Sequence, residues 1–322
     1  MSVYYQDESV TLHHGKALSV LRDMPRASVD CCVTSPPYYG LRDYDSEGQY
    51  GTEAHPLEYV ANMRELFAEV RRVLTDDGTL WLNIGDTYSA KRPYQVKQSR
   101  AKGAERGEAF DSTDFLPAKS LMLIPHRVAM AMQDEGWILR QEIIWSKRSC
   151  MPERVEDRPS RTHEVVFLFT KSPRYWYDAD AIRYDSDPKQ VAHNERYAKV
   201  YAAQADRAAT TGQPGNNNSA GIHARPGKPG RNAPSVWHLS MSPFPEAHFA
   251  TMPKELARRA IVAGCKPGGV VLDPFSGSGT TGLMAGQNGR RYVGIDINRK
   301  YLDLSLRTRL AQAAIVDFGS VS

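Results

Sequence analysis

Between an apolar run ending at Leu272 and an amphipathic stretch opening near Thr280, the chain reads Asp273-Pro274-Phe275-Ser276-Gly277-Ser278-Gly279-Thr280-Thr281-Gly282. Glycines at such a turn permit positive φ and let the backbone approach a ligand closely. A helix starting near Thr280 presents unpaired backbone N–H groups and a positive dipole end, which suits a carboxylate or phosphate. Asp296 ends the next strand-like run, from where a carboxylate can accept both hydroxyls of a ribose. Gly277, Gly279 and Gly282 also satisfy G-x-G-x-x-G, with Asp296 near the spacing of a dinucleotide fold. On this motif alone a nicotinamide or flavin cofactor therefore stays open.

A second group is Thr34-Ser35-Pro36-Pro37-Tyr38, at the end of the run 29–34. Two prolines cannot continue a strand ladder, so the strand must stop there in a stiff loop. Pro37 has no N–H, which leaves the Pro36 carbonyl able to accept from a ligand. Ser35 adds a hydroxyl, and Tyr38 a flat face for stacking. Together they could hold an amino-bearing aromatic ring taken out of a duplex. Read alone, the segment is equally a rigid turn plugged by an aromatic ring.

Both groups need carriers, and the pattern supplies them. Runs at 10–14, 29–34, 79–84, 141–145, 164–170, 270–272 and 292–295 suit strands. Helical spacing appears at 16–24, 57–74, near 121–134, from Pro253 to Gly264, after Thr280, and over 299–314. Asp77-Gly78 is expected to turn the chain into the strand at 79–84. Strand–helix alternation predicts an α/β fold with a doubly wound, mostly parallel sheet. Ligands of such sheets bind at the carboxyl ends of the strands, where both motifs fall.

Two stretches depart from this alternation. Residues 87–119 carry Lys91, Arg92, Lys97, Arg100, Lys102 and Arg106 with little apolar content, and read as a mobile surface loop. Residues 178–236 include a Gly/Pro/Asn-rich segment with Arg225, Lys228 and Arg231, and read as loop. The expected division is 1–177 as the catalytic part, 178–236 as an insertion, and 237–322 as the cofactor-binding part of the same domain.

The 322 residues, 41% hydrophobic and 24% charged, are enough for one large domain with an ample core. The net charge of +4 permits a polyanionic partner without demanding one. No apolar run reaches the ~18 residues of a membrane helix, and the first residues lack a signal-peptide pattern; a cytoplasmic protein is expected. Cys31, Cys32, Cys150 and Cys265 form no C-x-x-C pair and read as reduced thiols, and the nine histidines show no ligand spacing, so no metal is expected.

At the two motifs the chain resembles the amino-methyltransferases of DNA. Asp273 to Thr281 is similar to their cofactor motif D-P-F-x-G-S-G-T-T, and Ser35-Pro36-Pro37-Tyr38 to their catalytic motif [DNS]-P-P-[YFW]. The catalytic motif comes first, which is the circularly permuted order of the β class. Residues 248–261 resemble the helix flanking the methionine end of the cofactor; Trp145, Lys147 and 164–171 resemble later strands.

The resemblance implies a Rossmann-like methyltransferase fold with an inserted DNA-recognition region at 178–236. It implies S-adenosylmethionine as cofactor, bound by Asp273, Pro274, Phe275, Gly277, Ser278, Gly279, Thr280, Thr281 and Asp296. It makes Ser35, Pro36, Pro37 and Tyr38 the holders of a flipped base in double-stranded DNA; a homodimer is allowed. One departure is Gly15-Lys16, where the family often has Gly-Asp, so no adenine contact is assigned there. The implied reaction is direct methyl transfer to an exocyclic amine. Methylation at carbon 5 of cytosine would need a cysteine nucleophile, and the catalytic motif holds none. Ser before Pro-Pro points to cytosine N4, with adenine N6 as the alternative. An NAD-dependent oxidoreductase, a non-catalytic DNA-binding module, and a methyltransferase for RNA or protein amides are the remaining rivals.

Overall fold

In the computed structural model the described residues are 3–41, 48–93, 109–150, 153–184, 231–240 and 252–311. Lys97, Arg100, Lys102, Arg106, Arg225 and Lys228, the greater part of the basic residues noted above, lie outside them. The chain divides into two compact units, 1–178 with 235–322, and 179–234.

The strands of the larger unit are β1 (Val3–Gln6), β2 (Val10–His14), β3 (Val29–Thr34), β4 (Leu74–Ile84), β5 (Lys91–Pro93), β6 (Ala109–Asp111), β7 (Ile138–Lys147), β8 (His163–Thr170), β9 (Val236–Leu239), β10 (Val270–Asp273) and β11 (Arg291–Asp296). Its helices are α1 (Ala17–Asp23), α2 (Pro56–Val73), α3 (Ile124–Asp134), α4 (Lys254–Gly264), α5 (Thr280–Gln287) and α6 (Arg299–Ser305), the last running into a π-helical turn, Leu306–Leu310. Among the described residues nine strands form one sheet in the order β1-β2-β11-β10-β3-β4-β8-β7-β9. The central five are mutually parallel. β1, β8 and β7 pair antiparallel toward the two edges, and β9 adds parallel to β7.

The middle strands are apolar on both faces because helices cover both. In β3, Cys32 joins a core with α1, α2 and α3, while Thr79 and Trp81 of neighbouring β4 meet the end of α4. α2 supplies Tyr59, Met63, Leu66, Phe67 and Val70, all fully buried, at the helical spacing of three and four. It begins at Pro56, where a missing N–H costs nothing, and the His55 ring accepts from the Leu57 N–H at 3.2 Å.

β3 and β10 are parallel neighbours, but the chain leaves them in opposite directions, from β3 outward to β4 and from β10 outward to β11. The loops that follow diverge and leave a crevice at the carboxyl ends, the ligand position of open α/β sheets.

Several local expectations change. β1 is mostly exposed, and β9 alternates exposed residues with buried Trp237 and Leu239; both are four residues long and add at the edges of the sheet. The Asp77-Gly78 turn is a bulge inside β4: Val29 pairs with Leu74, yet Cys31 pairs with Thr79. The final helix is regular only to Ser305. The stretch 87–119, expected as a mobile loop, has described ends that form the β5–β6 pair, closed by Ser89 Oγ donating to the Leu116 carbonyl at 2.7 Å. No helix among the described residues is long and apolar enough to cross a membrane. In the smaller unit, Tyr184 and Arg231 exchange backbone hydrogen bonds at 3.0 and 2.8 Å.

α4 delivers the chain to β10 through a tight contact. Thr79 Oγ1 donates to the Gly264 carbonyl at 2.9 Å, and a Cβ at Gly264 would lie 2.2 Å from Trp81 Nε1. Gly264→Ala therefore overpacks a seam with no slack and should cost about 1–3 kcal/mol of stability. Thermal unfolding checks this; an unchanged midpoint would mean that α4 shifts without penalty.

Candidate active site

β3 ends at Thr34 and passes into Ser35-Pro36-Pro37-Tyr38. β10 ends at Asp273 and passes into the glycine turn, and β11 ends at Asp296. Around these ends lies a cavity of about 460 Å³. Ser35, Pro36, Pro37 and Tyr38 line it, as do Asp273, Pro274, Phe275, Gly277, Ser278, Thr280, Thr281 and Asp296. Residues from the two ends of the chain thus face one space.

Gly279 is the exception among the expected contacts, because it does not line the cavity. Its φ is +78°, which suits glycine, and a Cβ there would stand 2.9 Å from Ser305 Cβ. It is needed for the turn and for packing against α6. Gly282 likewise lets α5 settle on Tyr292, whose ring carbon a Cβ would approach to 2.7 Å.

Asp273 joins the two loops. Thr34 Oγ1 donates to its Oδ1 at 2.7 Å, Thr281 Oγ1 to its Oδ2 at 2.8 Å, and the Phe275 N–H to Oδ1 at 3.0 Å. Burial pushes its carboxyl up to about 6, against these three bonds. Asp296 accepts from the Gly277 N–H and the Asn298 N–H, both at 2.7 Å. Burial pushes it up to about 6 as well, with the nearby Asp273 charge adding to the rise. Two carboxylates that resist ionisation suit a ligand bringing positive charge, such as a sulfonium. Behind the turn, Arg309 of the π-helical segment donates to Ser278 Oγ and Thr280 Oγ1.

The other end of the cavity is built around Tyr38. Its hydroxyl donates to Glu164 Oε2 at 2.7 Å, and Ser35 Oγ donates to the Tyr38 hydroxyl at 3.2 Å. Asn83 Nδ2 donates to the same Glu164 oxygen at 3.1 Å, and Lys147 Nζ pairs with Oε1 at 2.6 Å. Gly85 makes room for the Tyr38 ring, since a Cβ there would come within 2.5 Å of it. Among the described residues the Pro36 carbonyl takes no backbone hydrogen bond, whereas the Pro37 carbonyl accepts from the Tyr59 hydroxyl at 2.9 Å.

Cys31 and Cys32 are fully buried, and desolvation pushes both thiols well above the usual range. Neither is poised as a thiolate nucleophile. Among the described residues no group of three or more His, Cys, Asp and Glu could hold a metal.

Sequence reasoning does not single out Asn83, Lys147, Glu164 or Arg309 as site residues. The available signal is a carboxylate opening the apolar run 164–170 and an amide inside 79–84, both at strand ends near the site. Lys16, at the position that departs from the family pattern, lines the cavity with Asn298 and Tyr301.

A family model described as DNA methylase matches residues 29–307. The type II methyltransferase M.Cfr9I of Citrobacter freundii is 42% identical over 92% of this chain and 86% of its own length. Among solved structures, the chain is similar to PvuII DNA methyltransferase (cytosine-N4-specific), with TM-score 0.62 and 20% identity over 99% of this chain and 90% of that one. It is also similar to a DNA modification methylase, described as putative, from Thermus thermophilus, solved in complex with S-adenosyl-L-methionine. There the TM-score is 0.55 and identity 23%, over 95% of this chain and 96% of that one. At those identities the structures speak for the fold.

A raised carboxyl pKa gives a testable sign. If a cationic ligand binds the ionised form of Asp296, affinity should be full above pH 7 and be lost as pH falls through about 6. S-adenosylmethionine should bind about tenfold or more weaker at pH 5 than at pH 7, because one group with that pKa is about 90% protonated at the lower pH. Asp296→Asn should weaken binding at pH 7 and remove about a tenfold of that pH effect. Calorimetry reads both; a pH-independent affinity in the wild type would refute the charge match.

Proposed function

The chain belongs to the N6/N4 family of DNA methylases, and from that premise we propose that it transfers a methyl group to the N4 amino group of a cytosine flipped out of double-stranded DNA. The observation that carries the proposal is the single cavity shared by the Ser-Pro-Pro-Tyr loop and the glycine turn, with Thr34 bonded to Asp273 between them. Neither an oxidoreductase nor a passive DNA-binding module needs the first loop at that place.

S-adenosylmethionine, when bound, supplies an electrophilic methyl group on a sulfonium. Asp296 would hold its ribose, and Gly277, Ser278, Thr280 and the backbone after Asp273 would surround its amino-acid end. The exocyclic nitrogen of the base is a poor nucleophile because its lone pair is delocalised into the ring. Ser35 Oγ and the Pro36 carbonyl would each accept one amino hydrogen and so turn the lone pair out of conjugation. Holding both reactants in line in a site shielded from water lowers the barrier through proximity and preorganised charge.

The choice of cytosine rests on Ser35. In the family that the two motifs resemble, Ser before Pro-Pro goes mostly with cytosine N4, and Asp or Asn mostly with adenine N6. Nucleoside mass spectrometry of DNA treated with enzyme and cofactor should find N4-methylcytosine. N6-methyladenine in its place would overturn the base assignment, and label recovered only in RNA or protein would overturn the substrate class.

The unit 179–234 is the proposed reader of DNA sequence, with backbone phosphates held by Arg225, Lys228 and Arg231. Replacing all three by Gln should flatten the log–log salt dependence of DNA binding by about 0.9 for each phosphate that is no longer neutralised. An unchanged slope would mean that these residues do not touch the duplex.

A further inference from the structure

We propose that Glu164 is a positioning residue for methyl transfer, which through Tyr38 fixes the direction of the Ser35 hydroxyl and receives the proton that the methylated amine releases. This rests on the methyltransferase reading and extends it to a residue outside both motifs.

The geometry defines a directed chain. Tyr38 has one hydroxyl hydrogen and, among the described residues, two acceptors in reach, Glu164 Oε2 at 2.7 Å and Asn83 Oδ1 at 3.3 Å. The shorter bond to the charged oxygen takes the hydrogen, because charge-assisted hydrogen bonds are the stronger ones. The Tyr38 oxygen is then left as an acceptor, and Ser35 Oγ donates to it at 3.2 Å. With its hydrogen committed to Tyr38, Ser35 presents lone pairs to the cavity that it lines. A hydroxyl that could otherwise donate or accept becomes an acceptor, which is what an amino N–H requires.

Glu164 is itself held from two sides, by Lys147 at Oε1 and by Asn83 Nδ2 at Oε2. Its side chain is 16% exposed and that of Lys147 is 20% exposed, so the pair is largely but not fully buried in the wall of the cavity that both line.

The same chain balances the reaction. The amino nitrogen forms a bond to the methyl carbon as the sulfur–carbon bond breaks, and its electron pair stays on sulfur. The nitrogen, now cationic, gives a proton to Ser35 Oγ. The Ser35 proton moves to the Tyr38 oxygen, and the Tyr38 proton moves to Glu164 Oε2. Glu164 ends as a neutral acid, the methylamine and the thioether are neutral, and no further reactant is needed.

The test uses the full chain with duplex DNA and S-adenosylmethionine in single-turnover and steady-state assays. Glu164→Gln keeps the shape but removes the proton acceptor, and should lower kcat by about 10²-fold or more while KM for DNA and the affinity for the cofactor, read by calorimetry, stay within about twofold. Tyr38→Phe keeps the ring and should show the same split. The double variant should be little worse than either single one, because the two residues act as a unit. Glu164→Asp, which retains a carboxylate, should recover part of the rate. Glu164→Gln with wild-type kcat, or effects of the two variants that multiply, would overturn the relay. Equal loss of kcat and cofactor affinity would assign Glu164 a structural role and overturn it as well. Failure of the wild type to methylate DNA would instead overturn the methyltransferase reading, and the relay with it.

Discussion

Everything at the site is referred to one buried carboxylate. Asp273 receives hydrogen bonds from Thr34 at the end of β3, from Thr281 in the first turn of α5, and from the backbone of Phe275. A buried carboxylate is tolerated only when its oxygens are satisfied. Those three donors are therefore held in fixed relation whenever Asp273 is ionised. Because Ser35 follows Thr34 directly, the Ser-Pro-Pro-Tyr loop and the glycine turn inherit their spacing from this joint, whose two residues lie 239 apart in sequence.

The sheet explains why the joint occurs there. β3 and β10 are parallel neighbours whose chains depart in opposite directions, so two loops that could have crowded one another open a crevice. The remaining walls come from packing that leaves no room for larger side chains. Glycine at 85 admits the Tyr38 ring, and glycine at 282 lets α5 lie against Tyr292. Arg309 braces the glycine turn from behind through Ser278 and Thr280, a support that lies outside the motif itself.

The electrostatics divide the cavity. At the glycine-turn end, burial holds Asp273 and Asp296 at about 6, an environment that a cation would improve. At the Tyr38 end, Glu164 is already paired with Lys147 and takes hydrogen bonds from Tyr38 and Asn83. Buried carboxyls without a cationic partner thus lie at one end, and a carboxylate paired with a lysine lies at the other.

The amino-acid sequence by itself determined the α/β class, the strand and helix that flank each motif, and the candidate residues that line the cavity. It could do so because prolines after Thr34, glycines at 277 and 279, and apolar runs of strand length are local signals with local causes. Local signals also mislead: Gly279 serves the turn and its packing, and Asp77-Gly78 bends a strand without ending it. Only the tertiary structure decided that Asn83, Lys147 and Glu164 converge on Tyr38, that Arg309 supports the turn, and that β1 and β9 extend the sheet. These depend on register and on side chains meeting from strands far apart in sequence. A pairing shift of one residue would turn each of those side chains to the other face, and no local pattern in the chain records the register.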